Sequence, residues 1–216
     1  MSNVKLVWVT PGADALLAYM ARVSSPSNQA NTETAARLIA YLIKHRHWSP
    51  FEMVSMCLEI TTQRDVSRQL LRHRSFSFQE FSQRYASVDE LPAAPLREAR
   101  MQDTKNRQNS TLCQDVALST WWAEAQSVAR DWAEIAYKSA LERGIAKEVA
   151  RSVLPEGLTS TRLYMAGTLR SWLHFCDSRM GPGTQKETRI VAASAFECLN
   201  DVCPHTVEAW EITHSS

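Results

Sequence analysis

The amino-acid sequence predicts an α+β fold built as one domain over residues 1–216. Three observations lead there. β-rich runs and helical patterns are mixed without the strict alternation of a doubly wound sheet. No repeat, low-complexity segment or linker divides the chain, and its length suits one domain with a real core. No Gly-rich dinucleotide fingerprint follows a strand, which excludes an ordinary Rossmann cofactor site. Three or four strands and five or more helices are expected.

Taken in order, Val4 to Val9 reads as an opening strand stopped by Pro11-Gly12, and Ala13 to Val23 as a helix before a Ser/Pro/Asn loop. Asn31 or Thr32 can cap a second helix, in which Ala36, Ile39, Ala40 and Ile43 form a buried stripe. It ends in Lys44-His45-Arg46-His47, basic residues suited to a helix C-terminus. Met53 to Thr61 alternates as a strand, with Val54, Met56, Leu58 and Ile60 on one side. Arg64 to Arg72 has good helix formers with Asp65 near its start, and an extended segment follows Arg74. Ser87 to Ser110 is polar and Pro-bearing and reads as a long excursion of functional or mobile character. Leu112 to Arg143 is expected as one long helix. Its Trp121 and Trp132 lie three turns apart on one face, which suits a core or a subunit interface. Ala146 to Val153 reads as a second helix and Thr159 to Thr168 as a strand. Leu169 to Asp177 is helical, with Arg179 leading into the Gly181-Pro182-Gly183 turn. Thr184 to Cys203 is another helix stopped by Pro204, and a short last one contains Val207 to Ile212.

Bulk composition narrows the function. Hydrophobic content of 44% with 22% charged residues is that of a globular protein. A formal charge of +1 argues against a nucleic-acid binder, so the arginines read as local anion grips. Five scattered cysteines with no Cys-x-x-Cys fit reduced thiols in a cytoplasm and no metal site. No signal peptide, membrane span or lipidation motif is visible.

The chemistry concentrates in Arg72 to Arg84, Arg-His-Arg-Ser-Phe-Ser-Phe-Gln-Glu-Phe-Ser-Gln-Arg. Polar groups alternating with phenylalanines suggest side chains held in place by an apolar backing, as in a binding site. Arg68 and Arg72, four apart on a helix, would repel unless an anion or water lies between them. In a strand Glu80, Ser82 and Arg84 point to one side, about 7 Å between alternate residues. That is an acceptor, a hydroxyl and a guanidinium able to grip a nucleotide's phosphate and base edge. An ordinary surface strand with ion pairs is the competing reading.

Arg72-His73-Arg74 followed after seven residues by Ser82 resembles the signature of the flavin-dependent thymidylate synthases. Further blocks resemble the family in the family's order. They are Ala21-Arg22-Val23-Ser24, His47 to Glu52, Asn106-Arg107-Gln108, Ala150 to Pro155 and Leu169-Arg170-Ser171. The resemblance implies an antiparallel sheet flanked by helices, in a homotetramer whose pockets are shared between subunits. It implies methylation of dUMP to dTMP, with methylenetetrahydrofolate as carbon donor, reduced FAD as hydride source and NADPH recharging the flavin. Carried across position by position, the dUMP contacts are Gln69 to Arg72, Glu80 to Arg84, Arg151 and Arg179. The flavin contacts are His47, Ser49, Arg72, His73, Arg74, Glu80, Thr168 to Arg170 and His174. Arg179 matches the arginine that favours loss of the uracil N3 proton. A fixed cation lowers the cost of an anionic ring, which is more nucleophilic at C5.

The chain departs from the family's pattern at Thr168, where many members have Asn. It also reads Gly183-Thr184-Gln185 where many read His-Ala-Gln. No cysteine is placed as a nucleophile, and Ser82 lacks a base, so carbon transfer without a covalent enzyme–nucleotide bond is expected. A catalytically silent nucleotide-binding protein is the rival reading, and the intact arginine set counts against it.

Overall fold

β2 (Ser55–Gln63) is the strand on which the sheet is laid. Met56, Leu58 and Ile60 are all buried on its inner side, so the two-residue period fixes which face meets the core. The computed structural model, which describes residues 2–214, pairs β2 antiparallel with both β1 (Asn3–Val9) and β6 (Ser160–Thr168). β3 (Ser77–Glu80) pairs antiparallel with the far side of β6, giving the order β1-β2-β6-β3. A separate hairpin joins β4 (Arg100–Gln102) to β5 (Ser110–Leu112).

Helices α1 (Ala13–Ala21), α2 (Ala35–Lys44), α6 (Leu169–Met180), α7 (Lys186–Val202) and α8 (Pro204–His214) cover the inner face. Their buried residues, among them Leu17, Ile39, Trp172, Phe175 and Leu199, form one core with the inner residues of β2 and β6. α3 (Arg64–Leu70) follows β2 directly, and α5 (Lys147–Ala150) is a single turn. α4 (Val116–Glu142) is the longest helix and is capped by the Asp115 carboxylate on the Leu118 amide. The α+β fold with a small antiparallel sheet is therefore as the sequence predicts.

Several expected boundaries move, each for a local reason. α3 stops at Leu70, so Arg72 and His73 lie on a turn and the four-residue pairings with Arg68 and Gln69 do not form on a helix. Arg68 meets Glu156 at 3.2 Å rather than needing an external anion. β3 ends at Glu80. Beyond it the amides of Tyr85 and Ala86 both bond to the Ser82 carbonyl, so Ser82, Gln83 and Arg84 occupy a turn. The excursion from Ser87 to Ser110 holds structure of its own. A capping box closes the turn at Val88–Glu90, and Asp103 accepts the amides of Lys105 and Asn106 within the hairpin. β5 runs from the end of the excursion at Ser110 to Leu112, the expected first residue of the long helix, which starts instead at Val116. α6 runs on through Arg179 to Met180. Pro204 follows the end of α7, as expected, and also opens α8, since a first-turn proline loses no helical donor. Asp14 of α1 accepts the His205 amide and the Thr206 hydroxyl there, tying the chain's two ends together.

Candidate functional site

The site is built where α3, the turn after it, β3, and the start and end of α6 meet. Phe76 is the wedge that holds them. Its ring is buried against Trp172 at 4.8 Å, and a Cβ placed on Gly167 of β6 would lie 2.4 Å from its Cδ1. Only glycine lets the ring come this close to the strand. Phe76 thus anchors the turn carrying Arg72, His73 and Arg74, and its other partners come from β3, β6 and α6.

Glu80, at the end of β3, accepts the Ser67 hydroxyl at 2.7 Å and the Thr161 hydroxyl at 2.9 Å. Arg64 stands 3.9 Å from the same oxygen. Burial pushes the Arg64 guanidinium down, Glu80 opposes this, and the charges of Arg68 and Arg151 push it further down. Arg151 therefore acts within the electrostatic reach of this corner. It opens a short 3-10 turn after α5, and α5 is tied to the Ser82 turn by Lys147, which donates to the Tyr85 carbonyl at 2.8 Å. A cavity of about 550 Å³ opens here, lined by Glu80, Phe81, Ser82, Tyr85, Arg162 and Tyr164 among others.

Arg179, in the last turn of α6, donates its Nε–H to His73 Nε2 at 2.8 Å. An arginine only donates, so His73 is neutral with its proton on Nδ1. Burial and then the Arg179 charge hold the His73 imidazolium below the usual histidine range. Phe175 packs edge-on to the His73 ring at 5.0 Å. Among the described residues, the Nε–H to His73 is the side-chain hydrogen bond that Arg179 makes.

At the other end of α6, Thr168 caps the helix by accepting the Ser171 amide and donates to Glu52 at 2.8 Å. Arg170 grips the second Glu52 oxygen at 2.7 Å. Hydrogen bonds from Thr168 and then Arg170 hold the Glu52 carboxyl below the usual carboxylate range. Ser171 donates to the Ser75 carbonyl and so joins this cluster to the arginine turn. His174 lies edge-on to Trp48 at 4.9 Å, and burial followed by the Arg170 charge lowers its pKa.

His47 and Ser49 are exposed and touch this cluster only indirectly, through their neighbours Trp48 and Glu52. The His47 ring faces Tyr41 and His45 instead. Leu70 and Leu169, expected at the site, are core residues with side chains 0% and 1% exposed. Leu71 is half-buried on the turn. Gln83 is buried as well, and its Nε2 has no hydrogen-bond partner. Gln69 binds Gln185 and Thr188 of the α7 region. Among the described residues, Arg72, Arg74, Arg84 and Arg151 form no ion pair. Sequence reasoning gave no role to Glu52, Arg162, Tyr164 or Glu187. For Glu52 the signal was present, since it closes the block His47 to Glu52. Arg162 and Tyr164 become visible only once β6 is paired, and Glu187 only once α7 packs beside Arg100.

Nucleophilic chemistry finds little support. All five cysteines are free, burial pushes the thiols of Cys57 and Cys198 up, Cys203 is pushed up to about 12, and Cys176 goes higher still. Among the described residues no His, Asp or Glu hydrogen-bonds to the Ser82 hydroxyl, no group of His, Cys, Asp and Glu could hold a metal ion, and no helix is long and apolar enough to cross a membrane.

The family described as Thymidylate synthase complementing protein matches residues 5–205. A probable flavin-dependent thymidylate synthase of Paramecium bursaria Chlorella virus 1 is 52% identical over 197 residues, covering 91% of this chain and 90% of the relative. A flavin-dependent thymidylate synthase of Synechocystis is 50% identical over 198 residues, covering 92% and 89%. Among solved structures, a UMP/dUMP methylase, PolB, from Streptomyces cacaoi bound with 5-Br UMP superposes with a TM-score of 0.86 at 28% identity, covering 99% of this chain and 95% of that one.

Proposed function

The chain belongs to the thymidylate synthase complementing protein family, the flavin-dependent thymidylate synthases, and from that premise we propose that it methylates dUMP to dTMP at the corner between β3 and α6. The observations that carry the reading are a cavity lined by Glu80, Ser82 and Arg162, and the set Arg72, Arg74, Arg84 and Arg151 on the turns after α3, β3 and α5, which forms no ion pair among the described residues. Permanently charged forked donors without protein anions suit a nucleotide phosphate. Gln69, Leu71, Arg72, Phe81, Ser82 and Arg151 are proposed to meet the nucleotide, Leu70 and Gln83 serving from behind as packing.

The donors around the start of α6 fit a flavin. Arg170 and His174 are exposed there beside a capped twelve-residue helix, facing the arginine turn through Ser75 and Ser171. Arg72, His73 and Arg74 would hold FAD from one side, and Thr168, Arg170 and His174 from the other, with Ser49 and His47 at the rim. Bound flavin supplies the hydride; the protein's own groups bind, orient and set charge. His73, neutral, aligns the Arg179 guanidinium by its Nε–H and leaves the Nη donors directed elsewhere. Set against the uracil imide, that cation would favour loss of the N3 proton and raise the nucleophilicity of C5. Glu80, held by Ser67, Thr161 and Arg64, remains an oriented acceptor for the nucleotide.

Methylenetetrahydrofolate is the proposed carbon donor and NADPH the proposed reductant, in the cytoplasm, where five free thiols stay reduced. Carbon transfer is read as needing no protein nucleophile, since burial raises the thiols of Cys57, Cys176, Cys198 and Cys203 and, among the described residues, no His, Asp or Glu hydrogen-bonds to the Ser82 hydroxyl. The test is an absorbance spectrum of the purified protein with FAD, followed by titration with dUMP and with UMP. Flavin absorbance perturbed by dUMP more than by UMP is expected. A protein that neither retains FAD nor quenches its fluorescence overturns the reading. Denaturing mass spectrometry of a turnover quenched with 5-fluoro-dUMP should show unmodified protein, and an adduct on Ser82 or a cysteine refutes the non-covalent route.

A further inference from the structure

One polar chain runs from the β4–β5 hairpin into the site and fixes the sense of every hydrogen bond along it. Arg100 Nη2 donates to Glu187 Oε1 at 2.7 Å. Gln185 Nε2 donates to Glu187 Oε2 at 2.8 Å, and Gln69 Nε2 donates to Gln185 Oε1 at 2.7 Å. The Thr188 hydroxyl then donates to Gln69 Oε1 at 3.0 Å. Arginine only donates and a carboxylate only accepts, so the Gln185 amide must turn its nitrogen to Glu187 and its oxygen to Gln69. That in turn obliges Gln69 to present its nitrogen to Gln185 and its oxygen to Thr188. Both carboxylate and guanidinium are 15% exposed, and Thr188 is fully buried, so water has little access to break the order. Burial alone would raise the Glu187 carboxyl, but hydrogen bonds from Gln185 and Arg100 keep it below the usual carboxylate range.

We propose that Glu187, clamped by Arg100 and acting through Gln185, is a positioning residue that sets which way the Gln69 amide faces the pyrimidine nucleotide. The inference rests on the reading of Gln69 as a nucleotide contact. With two of its hydrogen-bonding sites used, the Gln69 amide keeps one N–H and one oxygen lone pair for a ligand. Reversing the amide exchanges that donor and acceptor. The reversal can travel, because Thr188 at the far end is a hydroxyl that accepts as readily as it donates. Glu187→Gln would start it: Arg100 still demands the oxygen, the new nitrogen faces Gln185, and both amides turn over.

The experiment is a dUMP titration of the FAD-loaded protein in wild type, Glu187→Gln, Gln69→Ala, Gln69→Ala with Glu187→Gln, and Arg100→Met with Glu187→Gln, each with its melting temperature. Glu187→Gln should weaken dUMP about tenfold, the usual scale for a mismatched polar contact. It should leave flavin binding unchanged and raise KM more than it lowers kcat. It should add nothing in the Gln69→Ala background, since its effect passes through Gln69. Arg100→Met should restore part of the affinity to Glu187→Gln, because a glutamine freed from Arg100 can again offer its oxygen to Gln185. A merely structural role predicts the opposite, further loss in the pair. Equal loss from Glu187→Gln with and without Gln69, or no loss at all, overturns the proposal. Should Glu187→Gln unfold below the assay temperature, Gln185→Leu carries the same expectation of weakened dUMP and the same dependence on Gln69. A wild-type protein that binds FAD but no dUMP defeats the functional reading itself, and the positioning role with it. Wild-type binding with an unaffected Gln69→Ala defeats the positioning role alone.

Discussion

Arg179 lends its Nε–H to a histidine, and that histidine can accept it only while neutral. Two consequences belong to this single contact. Replacing Arg179 by Ala removes one net hydrogen bond, worth about 1 kcal/mol, so the melting temperature should fall by about 2–4 °C. Turnover should fall far more, about 10²- to 10³-fold, the usual effect of deleting a preorganised charge. A variant that melts much earlier, or turns over at the normal rate, removes Arg179 from its role. The second consequence is acid sensitivity. His73 and His174 both have pKa values lowered from 6.5, chiefly by burial. The unfolded chain therefore takes up protons first as pH falls below about 6.5. Stability from these groups is present in full above that value and is lost as pH falls towards their folded values. Melting temperature followed from pH 8 to 5 should decline below about 6.5, and His73→Gln, whose oxygen can still accept from Arg179, should flatten part of that decline. Identical profiles would remove His73 from the account. The charged members of this corner were legible from the sequence because their types and order are distinctive. Their partners were not. Nothing local to Arg179 says that a residue 106 positions earlier accepts its proton, and nothing local to Glu52 says that it will meet Arg170.

Between elements, the determining contact is the Phe76 ring on Gly167. Gly167→Ala would place a methyl group inside the ring's radius, and the ring is walled by Trp172 and Phe175, so neither side yields easily. Overpacking of this kind costs about 1–3 kcal/mol, which lowers the melting temperature by several degrees and shifts the Arg72–Arg74 turn. Adding Phe76→Leu should restore stability to Gly167→Ala, and the absence of any recovery would show that the clash lies elsewhere. The start of α6 allows a milder test. Thr168→Val removes both the cap on Ser171 and a Glu52 hydrogen bond, costing about 1–2 kcal/mol, whereas Thr168→Asn caps equally well and should melt within a degree or two of wild type. If valine is tolerated as well as asparagine, the cap is not what holds this helix. The main-sheet strands and the longer helices were readable because β2 and β6 alternate between core-facing and other residues and the helices carry apolar stripes. The hairpin inside the excursion escaped because its strands are three residues each and its hold on the chain is side-chain chemistry at Asp103. Pro204 was legible as the stop of α7 but not as the start of α8, as proline both ends one helix and begins the next.

At the scale of the molecule, the feature to explain is α4, whose apolar residues face the wrong way for a lone chain. Trp121, Val128, Trp132 and Ile135 lie at helical spacing on one side and are 57–69% exposed. The opposite side rests on the chain through little more than Gln126, Ala133 and Tyr137, and the Gln126 amide bonds to both the Arg97 amide and its carbonyl. The pattern that the sequence offered as core or interface is therefore not core of this chain. Edge strand β1 repeats the theme, with Leu6, Val7 and Trp8 exposed on both of its faces. Isolated exposed hydrophobics are ordinary, but an aromatic stripe along a 27-residue helix costs solubility unless something covers it. A further copy of the chain is the proposed cover, in the homotetramer that the family resemblance implies. Light scattering on the purified protein should then give a mass near four times 24.4 kDa. Trp132→Glu places a charge in the middle of the stripe, at a side chain 69% exposed in the single chain. It should lower the mass while leaving the helical circular dichroism in place. If the pockets are shared between subunits, as the family resemblance implies, turnover should fall with the mass and recover at high protein concentration, since assembly follows mass action. A wild-type protein of 24.4 kDa that turns over normally at nanomolar concentration would mean that the stripe serves something other than assembly, and that each chain completes its own site.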